Sequence, residues 1–89
     1  MSNEQTVVDT ALKVFHGWEL TVEKAEIGVA AAEKLLLAAD KTKDPDLITE
    51  AVDGVVGAKA SLAESVTSLQ LVAEILEGAR QDLHLSQRS

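Results

Sequence analysis

The chain has 89 residues and a net charge of −7, which allows one domain and argues against a protein that grips nucleic-acid phosphates with a basic face. It contains no cysteine, so disulfides, thiolate metal sites and cysteine nucleophiles are excluded. Aromatic residues make up only 2% of the chain and there is one proline, a composition that favours helix.

The N-terminal segment, Met1 to Thr10, carries acidic residues and lacks a basic run followed by an apolar core, so it is not typical of a secretory leader. The uninterrupted apolar stretches of the chain are far shorter than a membrane span. We therefore expect a cytoplasmic protein without a membrane span, and leaderless export is left open.

The first predicted element is a helix over about 3–41, opening at the capping box Ser2-Asn3-Glu4-Gln5. A turn over 42–44 follows, and a second helix is predicted over about 45–85. Pro45 suits the first helical position and Asp44 suits its N-cap. Residues 86–89 are expected to fray. Each helix would be roughly 57–60 Å long at a rise of 1.5 Å per residue.

Uncharged residues recur every seven positions along both helices, in two sets offset by three, which is the pattern of a coiled-coil seam. We label the first set a and the second set d. The a positions are Val8, Phe15, Val22, Val29 and Leu36 in the first helix and Ile48, Val55, Leu62, Leu69, Leu76 and Leu83 in the second. The d positions are Ala11, Trp18, Ala25, Ala32 and Ala39 in the first helix and Ala51, Ala58, Ser65, Val72, Ala79 and Ser86 in the second.

A turn this short makes the two helices antiparallel. Each a residue then faces the d residue of the other helix that lies the same number of residues from the Lys43–Asp44 bond. Most of these layers set a larger residue against Ala or Ser, as Leu36 faces Ala51, which keeps the layer volume nearly constant. Two adjacent layers pair larger residues, and a wider spot is expected there: Trp18 with Leu69 and Phe15 with Val72. The sequence thus predicts an all-α fold, a helical hairpin with an Ala-rich seam.

A second uncharged stripe runs along one flank of the hairpin, beside the seam. Its members are Val7, Val14, Thr21, Gly28 and Leu35 in the first helix and Leu47, Gly54, Ser61, Ser68 and Ile75 in the second. Only Asp82, which follows Ile75 at the end of this series, is charged. Soluble monomers rarely expose large contiguous apolar patches, and helical glycines often mark close backbone approach. We therefore predict that this flank is an interface, through which the hairpin forms a four-helix bundle or larger homo-oligomer, or binds another helical protein.

The segment from Leu35 to Leu47, which includes Lys43-Asp44-Pro45-Asp46, resembles the hairpin of type III secretion needle subunits. Members of that family are short helical hairpins that polymerise into a tube. The resemblance implies an alternative function, a filament-forming subunit of a secretion apparatus. The leading prediction remains a non-enzymatic protein–protein interaction or assembly module.

The residues best placed for metal chemistry are His16, Glu19 and Glu23, which share one side of the first helix. Di-iron bundles use Glu-x-x-His with inward carboxylates, whereas here the order is reversed and Phe15 and Trp18 take the inward positions. A metal-binding helical bundle is therefore a lesser alternative. No nucleophile–base set or phosphate-binding loop stands out, so we predict no catalytic residue, no metal site and no cofactor.

Overall fold

The computed structural model describes residues 3–88, which form two helices, α1 (Asn3–Thr42) and α2 (Pro45–Arg88). The helices fold back on each other as an antiparallel hairpin measuring 69 × 14 × 13 Å, with no strand in the described part. This confirms the all-α hairpin that the heptad pattern predicts. The predicted capping residue Ser2 lies outside the described residues.

The helix ends lie close to the predicted ones at the turn and differ at the C-terminus. Helix α1 ends at Thr42 and α2 begins at Pro45. Helix α2 continues to Arg88, past the predicted end near 85, and Ser89 of the predicted frayed tail lies outside the described residues. The physical reason is that neither Gly nor Pro follows Gly78, so nothing in the sequence interrupts the backbone ladder.

The chain reverses through Lys43, whose φ of 60° places it in the left-handed region. Its N–H donates to the carbonyl oxygen of Asp40 at 3.3 Å, which closes the last turn of α1. The Thr42 hydroxyl donates to the carbonyl oxygen of Ala39 at 2.6 Å and accepts from the N–H of Asp44 at 3.2 Å. A side chain and a backbone N–H therefore satisfy two of the last four carbonyl oxygens of α1, those of Ala39 and Asp40.

Helix α2 starts at an aspartate cap. The Oδ1 of Asp44 accepts a hydrogen bond from the N–H of Asp46 at 3.0 Å, and the carbonyl oxygen of Asp44 accepts from the N–H of Ile48 at the same distance. Pro45, which has no N–H to satisfy, occupies the first helical position. This is the N-cap arrangement that the Asp-Pro sequence predicts.

The core is a thin seam between the two helices. Each residue assigned to positions a and d is buried or half-buried, except Ser86 near the C-terminus, which is exposed. Val8, Ala11, Leu76 and Ala79 form a single buried cluster near the open end of the hairpin, whereas buried Val55 lies towards the turn. Within that cluster, Ala11 and Leu76 are equidistant from the turn, and so are Val8 and Ala79. The buried cluster therefore combines residues of two neighbouring predicted layers.

One polar residue, Ser65, lies in the seam at 9% exposure. Its hydroxyl donates to the carbonyl oxygen of Ser61, one turn earlier in α2, at 3.0 Å. Because this bond is made inside its own helix, Ser65 fills a narrow layer without needing a partner on α1.

Candidate interaction surface

The predicted interface residues occupy one long flank of the hairpin, which we call the apolar face. In the heptad that labels the seam, these residues are at position g of both helices, and the g positions of antiparallel helices lie on the same side of the pair. All of them are exposed except Ser68, which is half-buried. The hairpin alone therefore leaves this face uncovered.

Large side chains lie at both ends of the apolar face. Val7, Val14 and Ile75, which are 45–62% exposed, lie at the open end, and Leu35 and Leu47 lie near the turn. At the open end they line a groove of about 380 Å³ together with Thr6, Thr10, Ala11 and Val72. The groove is a continuous apolar recess that a side chain from another helix can enter.

The middle of the apolar face is narrow because its residues are small: Thr21, Gly28, Gly54, Ser61 and Ser68. The hydroxyl of Thr21 donates to the carbonyl oxygen of Gly17 at 3.0 Å, so its hydrogen bond is satisfied within α1. A helix from another molecule can therefore approach the centre of the face closely without burying that hydroxyl unpaired.

All five glycines of the chain lie on this side of the hairpin, at position g or at the adjacent position c: Gly17, Gly28, Gly54, Gly57 and Gly78. A Cβ atom added at any of them would meet no atom within 4 Å. Packing between α1 and α2 therefore does not explain why glycine stands at these positions, although each helical glycine costs about 1 kcal/mol relative to alanine.

The exposed area of the hairpin exceeds that of a compact monomer of its size. The accessible surface is 6532 Å² for a 9.4 kDa chain. Globular monomers of that mass expose about 5,000 Å², so the excess is roughly 1,500 Å². An excess of this size comes from an elongated two-helix shape in which each helix buries only one stripe.

Sequence reasoning left several half-buried residues out of the seam. Val66 and Ala73, at position e of α2, are half-buried, and so is Leu12 of α1, which packs against the buried cluster. Leu12 lies at position e, on the flank where the residues at the same heptad position are Glu19, Glu26, Glu33 and Asp40. The apolar character of Leu12 among those acidic residues was the available signal.

The proposed metal ligands do not converge. The Nδ1 of His16 and the Oε1 of Glu19 are 2.9 Å apart, with side chains 69% and 48% exposed. The Phe15 ring lies edge-on to His16, at 6.0 Å between ring centroids. Within residues 3–88, no group of three or more His, Asp or Glu side chains is arranged to hold a metal ion. Glu23 adds no third ligand, so the site is a solvent-exposed pair one turn apart.

Within the described residues, neither helix contains a segment both long and apolar enough to traverse a lipid bilayer. Compared with protein-family models, with curated proteins and with solved structures, the chain has no match. Any functional conclusion therefore rests on the surface of the hairpin itself.

Proposed function

We propose that this protein is a non-enzymatic assembly module that self-associates through its apolar face, with two hairpins packing into a four-helix bundle. The observation that carries the proposal is the exposure of the face. Large apolar side chains such as Leu35, at 67%, face solvent along a stripe that contains no charged residue from Val7 to Leu35 or from Leu47 to Ile75.

The energetic argument is that apolar area removed from water stabilises an assembly by roughly 25 cal/mol per Å². Stable dimers bury about 1,200–2,000 Å² in total, and the excess exposed area of one hairpin is of the same order. The glycines with open space above them support the same conclusion, since they allow a second backbone to come close.

The test makes the same substitution at two leucines of α1, which lie on different sides of the helix but are equally exposed. Leu35 lies on the apolar face and is 67% exposed, and Leu37 lies on the opposite side and is 66% exposed. We expect Leu35→Glu to dissociate the assembly, because a carboxylate would be buried in it, and Leu37→Glu to leave the assembly intact. Sedimentation velocity at matched concentrations measures the mass, and circular dichroism checks that both variants remain helical.

A monomeric wild-type protein at high micromolar concentration would contradict the proposal. Equal loss of assembly in Leu35→Glu and Leu37→Glu would show that association does not use the apolar face in particular.

The filament alternative is supported by one separate observation. Apolar side chains away from the apolar face are also exposed, including Leu37 at 66% and Val56 at 61%, and an open array needs more than one contact surface. Light scattering distinguishes the two forms of assembly. A closed bundle reaches a constant mass as concentration rises, whereas a filament continues to grow.

A further inference from the structure

Charged residues border the apolar face with opposite signs on its two sides. On α1, every lysine lies at position c or f, next to the face, and no acidic residue lies at these positions. We call these lysines the basic rim: Lys13, Lys24, Lys34 and Lys41. On α2, the same positions carry Asp46, Glu50, Asp53, Glu64 and Glu74, which we call the acidic rim. One edge of the face is therefore positive and the other negative.

The hairpin does not use these charges itself. All rim residues are exposed, and none forms an ion pair within residues 3–88. Lys24 and Lys34 have no acidic residue three or four positions away, and Asp53, Glu64 and Glu74 have no basic one, so pairs along their own helices are not available. Positions c and f point away from the other helix of the hairpin, so the two rims do not face each other within one molecule.

Two hairpins packed through their apolar faces can be related by a two-fold axis in two ways. An axis parallel to the helices puts both turns at the same end and packs α1 of each copy on α2 of the other. An axis across the helices puts the turns at opposite ends and packs α1 on α1 and α2 on α2. The first arrangement places each basic rim along an acidic rim, whereas the second places like charges together.

The positions of the individual charges along the two rims also favour the first arrangement. This argument is separate from the opposite overall charge of the rims. An axis parallel to the helices does not shift the copies lengthwise, so residues equidistant from the turn lie at the same level. Three rim pairs meet that condition: Lys13 with Glu74, Lys34 with Asp53, and Lys41 with Asp46. Lys24 and Glu64 are within one residue of it. Each lysine of one copy thus lies at the level of an acid of the other.

We propose that a second copy of this chain covers the apolar face, an inference that rests on the proposed self-association. The two copies have their turns at the same end, which we call the same-end arrangement, so that α1 of each copy packs on α2 of the other and the oppositely charged rims are aligned. The small residues in the middle of the face set the close approach, and the rims select the orientation. Exposed ion pairs contribute modestly to affinity, and like-charge alignment penalises the other orientation.

A distance measurement tests the orientation directly. The chain has no cysteine, so Asp40→Cys gives a single attachment site for a spin label, near the turn and away from the apolar face. In the same-end arrangement the two labels of a dimer lie within about 35 Å of each other, whereas turns at opposite ends put them about 60 Å apart, given a rise of 1.5 Å per residue. Double electron–electron resonance separates these distances.

Charge exchange between copies provides a second test. Lys34→Glu and Asp53→Lys each put like charges at the contact of their own homodimer, but a heterodimer of the two variants pairs opposite charges at both contacts. When the variants are mixed, we expect the exchange equilibrium constant, which is the squared heterodimer concentration divided by the product of the two homodimer concentrations, to exceed its statistical value about tenfold. One variant is labelled with ¹⁵N, and native mass spectrometry measures the three dimer species. The matched control mixes Glu33→Lys with Lys59→Glu, on the opposite flank, where we expect a statistical mixture.

The outcomes separate this inference from the proposed function. A monomer in every experiment overturns the self-association itself. A dimer with labels about 60 Å apart, or with Lys34→Glu and Asp53→Lys mixing statistically, keeps the self-association and overturns the same-end arrangement. A short distance together with a preferred heterodimer supports both.

Discussion

Truncation of Leu76 to alanine tests the seam at its most buried point. Leu76 is 5% exposed and packs in one cluster with Val8, Ala11 and Ala79. Removing three buried carbon groups at about 0.8 kcal/mol each costs about 2.4 kcal/mol. The neighbours Ala11 and Ala79 are too small to fill the space, so a residual cavity adds to the cost. We expect Leu76→Ala to lower the free energy of unfolding by about 3 kcal/mol.

That loss is a large part of the stability of a chain this size, for which 0.05–0.15 kcal/mol per residue gives about 4–13 kcal/mol. Urea denaturation followed by circular dichroism at 222 nm measures it, at one fixed protein concentration because the proposed dimerisation would contribute to stability. The control is Leu37→Ala at a side chain 66% exposed, which we expect to change stability by less than about 0.5 kcal/mol. Equal effects of the two truncations would refute the assignment of Leu76 to the core.

Three further predictions concern the turn and the apolar face. Lys43→Gly should stabilise the hairpin by about 0.5–1 kcal/mol, because glycine adopts the left-handed φ of 60° without strain, and the melting temperature should rise. Asp44→Ala removes the acceptor for the N–H of Asp46 and should cost about 1 kcal/mol in urea denaturation. Gly54→Ala should raise the free energy of unfolding of the hairpin by about 1 kcal/mol and should weaken its association, as measured by sedimentation. Stronger association of this variant would show that Gly54 is not part of the contact.

The fold was predictable because one periodicity and one turn determine it. The heptad recurrence of uncharged residues identifies which side of each helix is buried, and all of those residues except Ser86 are buried or half-buried in the structure. Asp44 and Pro45 mark the break between the helices through chemistry that is local in sequence, namely a side-chain cap and a residue without an N–H. Features set by neighbouring residues along the chain are those that a single sequence reveals most directly.

Other features depend on information that the heptad does not carry. The second helix runs to Arg88 because neither Gly nor Pro stops it, whereas the predicted end near 85 rested only on proximity to the chain end. Leu12 joins the seam from position e, since a leucine can reach over the edge of a thin core that glutamates at the same heptad position leave for solvent. The exposure of the apolar face follows from a two-helix hairpin, but its occupant depends on an assembly that remains a prediction.

Net charge alone would argue against association of identical chains at −7 each, yet the distribution of that charge matters more than its total. Acidic residues of α1 such as Glu26 and Glu33 lie on the flank away from the apolar face, where repulsion between the copies acts across more than one helix diameter. At physiological salt the screening length is about 8 Å, so that repulsion would be weak in the proposed same-end dimer, whereas its rim pairs would lie within that length. Added salt should therefore weaken a same-end dimer and strengthen an opposite-end one, because screening removes attraction between the rims in the first and repulsion in the second.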